Sequence, residues 1–432
     1  MSKSALIGTS SQATSSEVQP RVADSVPAAT VSGFICMLAY TNYAVDARVQ
    51  REAETLAAAG CKVLCLTTKN SAAAARFTRE RVEVRELGVQ KYRGKNRLVY
   101  IGSYLSFLLL SSWACVRLLL KGELDVVHVH NLPDFLVFAG LVPRLCGVKV
   151  VLDVHDSVPE TFATKFSDAS MLWKALCFEE RVSALVAHKV ICVNAPQRDV
   201  LVARGIPSSK TFISMNVPDP KVFKPVAVKG QEKSRGSHFN LVYHGTMVAR
   251  LGVDLLIQAV AQLKDRIPGV RLNLWGGGDD LPAFQKLAVD LGIEDRVLFN
   301  PKGFPLHALP DHLKAMDVGV VGNRRTTAGD LMLPVKLMEY VALGIPAVAP
   351  RLHTIEHYFS EDMVGYYQPE DVSSLADAIY ELYVDPERRR QQAERSIQFL
   401  GDYGWERQGA DFLTFYRTLL KAGTPGTTRM ES

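Results

Sequence analysis

The stretch from Leu331 to Pro350, LMLPVKLMEYVALGIPAVAP, gathers residue types suited to holding a phosphorylated ligand. Pro334 starts a helix at no hydrogen-bond cost, because its missing N–H falls where helical donors are unpaired anyway. Lys336 lies in the first turn, Glu339 sits one turn on, and Gly344 stops the helix before a buried strand. A helix N-terminus aimed into a cleft favours phosphate, since its first N–H groups lack partners and the dipole is positive there. Lys336 adds formal charge, and a carboxylate at Glu339 can accept both hydroxyls of a ribose. An ordinary surface helix with an i,i+3 Lys–Glu pair is the plain alternative.

The histidines form a second group. His128 and His130 fall on one face of the strand pattern Asp125–His130, because side chains alternate along a strand. An HxH pair can bind metal, and Asp153 and His155 could lie beside it in a sheet. No further His, Cys or carboxylate cluster can be assigned to a strand end, so the ligand set is incomplete and no metal is expected. His155 is expected in a cleft, His130 as a second site candidate and His128 as a satisfied core histidine. Gly276-Gly277-Gly278 does not extend to a dinucleotide fingerprint. The third glycine of that pattern would fall on Leu281, and the next strand ends in Asn300 rather than an acid. Nucleophile-elbow, Walker and kinase motifs are absent from the sequence.

These groups must be positioned by a chain of 432 residues, enough for two domains of about 200 residues each. A net charge of +5, without interleaved aromatic and basic residues, argues against nucleic acid as a partner. Seven cysteines, mostly inside apolar runs and without CxxC pairs, read as reduced thiols of a cytoplasmic protein. Residues 1–30 are rich in Ser, Ala and Thr and predict a disordered tail. Leu98–Val116 contains no charged residue and follows a segment, 76–97, rich in arginine and lysine. Two readings stand open: a solvated loop beside a core helix, or an interfacial contact at the cytoplasmic face of a membrane.

Short β-branched runs alternate with helical patterns, which predicts parallel sheets covered by helices. In the first half the strand candidates are Gly33–Ala39, Lys62–Thr67, Asp125–His130, Lys149–Val154, Lys189–Val193 and Thr211–Met215. Residues 218–237, with three prolines and two glycines, read as a linker. A second series follows: strands at Asn240–Tyr243, Val270–Trp275, Val297–Phe299, Val318–Val321 and Pro346–Ala349, with helices between them, among them Leu306–Met316. Two doubly wound units in succession make the cleft between them the natural ligand site.

The stretch LPVKLMEYVALGIPAVA resembles the donor-binding helix of family 4 glycosyltransferases, which have the GT-B fold of two facing Rossmann-like domains. In that family the helix carries two glutamates with seven residues between them. The second matches Glu339, while the first falls on Leu331, next to Asp330. Asp46–Gly60 is similar to the family's first helix, Asp153–Asp156 to the segment whose histidine faces the reacting sugar, and Tyr243–Thr246 with Arg250 to its diphosphate loop. Trp275–Asp279 is similar to the Gly-rich turn of the nucleotide domain, and Tyr403–Glu406 to the start of a helix that crosses back to the first domain.

The resemblance implies an acceptor domain over 31–217, completed by helix 403–421, and a nucleotide-sugar domain over 238–402. It implies a retaining transferase that moves a sugar from a nucleoside-diphosphate sugar to a glycan or lipid-linked acceptor, without metal or cofactor. Glu339, Gly245, Thr246, Gly276 and Gly277 would bind the donor. Arg250, Lys336 and His155 would serve the chemistry, and Tyr43 and His130 would lie on the acceptor side. A nucleotide-sugar epimerase and an inactive binding subunit on the same fold are the alternatives.

Overall fold

The central strands of the first half are buried along nearly their whole length, the condition that selects parallel pairing. The computed structural model describes residues 30–70, 75–92, 94, 96–163, 170–226 and 238–421. The tail expected over 1–30 lies outside them apart from Thr30, as does 227–237 of the expected linker. From Val31 onward the chain is one compact unit.

The first sheet holds β1 (Phe34–Ala39), β2 (Lys62–Lys69), β3 (Arg76–Arg79), β4 (Val82–Gln90), β5 (Val126–His130), β6 (Lys149–Val154), β7 (Lys189–Cys192) and β8 (Thr211–Ile213). Its order is β3-β4-β2-β1-β5-β6-β7-β8, parallel except for the antiparallel pair β3–β4. The second sheet holds β9 (Phe239–His244), β10 (Val270–Trp275), β11 (Val297–Asn300), β12 (Val318–Val320), β13 (Ala347–Pro350) and β14 (Gly365–Tyr367). It runs β11-β10-β9-β12-β13-β14 and is parallel throughout. In each sheet the strand order reverses beside the first strand, at β1–β5 and at β9–β12. A crevice opens outside the carboxyl ends of the strands at such a point.

The segment 76–97 departs from expectation. Most of it is the β3–β4 hairpin at the sheet edge, with Val82, Val84 and Leu87 turned inward. Three of its four arginines meet carboxylates: Arg76 lies 2.8 Å and Arg85 3.5 Å from Glu83, and Arg79 lies 3.7 Å from Glu54. Much of the positive charge visible in the sequence is therefore neutralised locally, while Arg93 and Lys95 lie outside the described residues. The helix expected over Leu306–Met316 is only Leu309–Leu313, with Pro310 in its first turn.

The final helix, Trp405–Lys421, packs on the first sheet. Phe412, Tyr416 and Leu419 join a core with Ile35, Met37, Val49 and Leu56. Trp405 stacks on Arg51 at 4.5 Å and donates to Thr55 Oγ1 at 3.2 Å. All seven cysteines are free; Cys146 is exposed, Cys177 is half-buried and the other five are buried.

Candidate active site

The two sets of strand ends face one cavity of about 470 Å³, large enough for a small organic ligand. Thr41 and Asp46 after β1, His155 and Asp156 after β6 and Asn194 after β7 line one side. Leu331–Val335, Met338 and Glu339 line the other. His155 and Glu339 therefore share a cleft, although 184 positions separate them in the chain.

On the second-sheet side, helix Val335–Ala342 starts at Pro334, which caps it without a side-chain hydrogen bond. Lys336, in its first turn, lays its ammonium 3.6 Å from the centroid of the Tyr243 ring. Glu339 is buried, with Oε2 3.2 Å from His244 Nε2. Burial pushes the Glu339 carboxyl up to about 7, against the pull of Lys336. Burial, joined by Arg250, brings the Lys336 ammonium down to about 7, with Glu339 opposing. His244 is pushed down to about 3 by burial and by Lys336, so it is neutral. Burial thus brings the two groups, a cation and an anion one turn apart, to titrate in the same neutral range.

Gly245 and Thr246 are exposed in the loop beside Lys336, and Arg250 is exposed in the short 3-10 turn Ala249–Leu251. Gly276 and Gly277 serve this loop structurally. Gly245 N–H donates to Trp275 O, and Met247 N–H to Gly277 O, both at 2.9 Å. A Cβ on Gly276 would stand 2.1 Å from Gly245 O, so only glycine lets the two turns meet. Gly276 N–H is itself donated to Asn300 O. The position of the absent first glutamate has become a main-chain bridge: Leu331 O accepts from Asn194 Nδ2 of the first half at 2.8 Å. Asp330 does not substitute for it, because its Oδ1 accepts from His353 N–H at 3.3 Å.

On the first-sheet side, Asp153 is a hub with no exposed surface. Arg48, from helix Ala47–Ala58, grips both its oxygens, at 2.7 and 3.1 Å. His155 Nε2 lies 2.9 Å from Asp153 Oδ2, and His130 Nδ1 lies 3.0 Å from both of those atoms. Burial alone would raise the Asp153 carboxyl, but Arg48 and His155 hold it well below the usual carboxylate range. Burial lowers the His155 imidazole, and Asp153, by charge and hydrogen bond, more than reverses this, so His155 titrates above the ordinary histidine range. With about a fifth of its side chain exposed, it is the histidine of this group that reaches the cavity.

Other expected site residues are placed elsewhere. Tyr43 is 1% exposed, packed in the core near Phe77, and does not line the cavity. It lies in the turn Tyr43–Val45 and shares a core with Val49 and Leu56 of the following helix. His130 is 2% exposed and stands behind His155, where burial pushes it down to about 3. His128 is fully buried, its Nδ1 bonded by the Tyr416 hydroxyl of the final helix.

The view that the histidine pair lacks further ligand groups is also corrected. Glu52 joins His128, His130 and Asp153, with ligand atoms within 4.8 Å of one another. The Arg48 guanidinium contacts Glu52 at 3.2 Å as well as Asp153, so a protein cation already compensates both carboxylates. Arg48, Glu52 and Asn194 escaped sequence reasoning. Their one signal is that Arg48 and Glu52, four apart, belong to the same helical stripe as Val49, Ala53 and Leu56.

Two family models match the chain: "Glycosyl transferase 4-like domain" over residues 44–215 and "Glycosyl transferases group 1" over 238–385. A GDP-mannose-dependent alpha-(1-6)-phosphatidylinositol monomannoside mannosyltransferase of Mycolicibacterium smegmatis is 32% identical over 38% of this chain and 44% of its own length. The alpha-D-kanosaminyltransferase of Streptomyces kanamyceticus is 23% identical over 65% of this chain and 73% of its own. The chain spans about half the length of the first curated relatives it matches. Among solved structures, sucrose-phosphate synthase from Thermosynechococcus elongatus shares the fold with a TM-score of 0.74 at 19% identity, covering 90% of this chain and all of that one. HepE of Anabaena in complex with UDP does so with a TM-score of 0.65 at 14% identity, over 90% of this chain and all of that one.

Proposed function

The chain belongs to the family 4 glycosyltransferases with the GT-B fold, and we propose that it moves a sugar from a nucleoside diphosphate to a glycan or lipid-linked acceptor with retention of anomeric configuration. The observation that carries this reading is the meeting of His155 and Glu339 across one cavity, with Lys336 in the first turn of the Glu339 helix. Glu339 accepts the ribose hydroxyls, while Lys336 and Arg250 face the diphosphate. The bond from the anomeric carbon to the phosphate oxygen breaks as the acceptor oxygen bonds that carbon from the same face. The acceptor's proton passes to the departing phosphate oxygen. Lys336, Arg250 and the helix N-terminus stabilise the charge that develops there, so no metal or cofactor takes part and turnover persists in chelator. His155 orients the sugar at the reacting carbon. The unpaired cysteines support a cytoplasmic site of action.

Saturation-transfer NMR or thermal shift against UDP-, GDP-, ADP- and TDP-sugars tests the donor site. Selective response to one nucleotide, lost in Glu339→Ala, is the expected result. No response to any of them would remove the reading. Arg250→Ala should lower turnover roughly 10²-fold with an unchanged melting temperature. Unaltered turnover would take Arg250 out of the site. The inactive-subunit alternative rests on the apolar Leu331, and binding without product in the presence of acceptors would favour it.

A further inference from the structure

The helix Arg97–Leu120 is 24 residues long, about 36 Å at helical rise, and only one of its faces is used. Phe107, Ser111, Ala114, Cys115 and Leu118 are buried against the first sheet. The opposite stripe, Leu98, Ile101, Leu105, Leu109 and Trp113, is exposed, with Leu109 69% and Trp113 61% accessible. Two further helices on the same side of the sheet continue this surface: Leu141–Leu145 with Leu145, and Ser170–Val186 with Phe178, both more than two-thirds exposed.

The charges on this surface have one sign. The long helix and Leu141–Leu145 contain no aspartate or glutamate. Arg117, Lys121, Lys174 and Arg181 are exposed around the apolar stripe, and the Arg117 guanidinium lies 4.4 Å from the centroid of the Trp113 ring. In Ser170–Val186, Glu180 is buried on Arg204 and Glu179 accepts from Ser183.

We infer that this three-helix face docks the protein on an anionic phospholipid bilayer, the long helix lying in the interface. Spanning is excluded by its buried stripe, whose withdrawal would uncover the core of the first sheet. A second copy of the chain is a poor occupant, because the cations would meet their own likeness. An anionic bilayer matches both the apolar stripe and the positive rim. The docked helix starts beside the cleft: Ser103 and the Tyr40 hydroxyl are hydrogen-bonded, and Thr41, next in the chain, lines the cavity. Docking does not depend on the transferase reading.

The test is co-sedimentation of the full chain with phosphatidylcholine vesicles, with and without phosphatidylglycerol. Binding should require phosphatidylglycerol and weaken with salt. Leu109→Glu combined with Trp113→Glu should lower vesicle affinity about tenfold or more, with the melting temperature and nucleotide binding unchanged. Arg117→Glu combined with Lys174→Glu, which spares the stripe, should abolish the preference for phosphatidylglycerol. Failure to bind either vesicle, or equal binding by all variants, would overturn the assignment. So would self-association in solution that the Leu109/Trp113 variant abolishes, since it would give the face to a second copy.

Discussion

Asp153→Ala is expected to lose about 3–5 kcal/mol of stability and to show no measurable transfer. The cost comes from Arg48, which is 3% exposed and would be left as a buried cation with Glu52 as its one contacting carboxylate. Glu52 is a poor substitute, because burial raises its carboxyl pKa despite Arg48. The sign of the linkage follows from the direction of the Asp153 shift. Its carboxyl is held below the unfolded value, so its stabilisation is complete above the ordinary aspartate range, near pH 4. That stabilisation is lost progressively as pH falls from there and is gone below the depressed folded value. The deficit of the variant should therefore be full at neutral pH and shrink in strong acid, which urea unfolding across pH would read.

Asp153→Asn also removes the charge beside Arg48, but it leaves a hydrogen-bonding group in the place of the hub. The amide keeps the shape of the hub but not its charge, so the His155 imidazole should titrate below its wild-type position by NMR. Turnover should drop roughly 10²-fold or more while nucleotide affinity, set on the other sheet, is kept. An unmoved His155 titration would mean that Asp153 only braces Arg48.

The parallel sheets were legible because runs such as Val126–His130 and Lys149–Val154 are rich in β-branched residues, short, and flanked by helical periods. The donor helix was legible because Pro334, Lys336, Glu339 and Gly344 each have a local reason for their place. What stayed hidden depends on distant partners. The β3–β4 hairpin reads as a basic segment until its antiparallel pairing sets Glu83 beside Arg76 and the fold brings Glu54 to Arg79. Arg48 and Glu52 look like solvent-facing charges on an amphipathic helix, and only the inward Asp153 of β6 makes their burial tolerable. Tyr43 shows the reverse error: the family resemblance puts it on the acceptor side, but its ring packs in the core with Val49 and Leu56 of the first helix.

Nucleotide affinity should peak near pH 7 and fall on both sides. Above that pH the free protein's Lys336, held down to about 7, is largely deprotonated. A diphosphate raises its pKa, so the complex takes up a proton and affinity falls by up to tenfold per pH unit. Below that pH Glu339, pushed up to about 7, becomes a neutral acid and gives up its capacity to accept two ribose hydroxyls. The two groups lie one turn apart and influence each other, so the limbs report the pair rather than either residue alone. Calorimetry in buffers of different ionisation enthalpy should show net proton uptake on the alkaline side. Lys336→Met should weaken binding by about 2–4 kcal/mol, on the order of 10²-fold or more. It should also erase the alkaline limb and move the acid limb to higher pH, because Lys336 is what now holds the Glu339 carboxyl down. Glu339→Gln should do the converse, keeping an alkaline limb that lies lower than in the wild type, since Glu339 is what now holds Lys336 up. A flat pH dependence, or limbs that ignore both substitutions, would place the diphosphate elsewhere in the cleft.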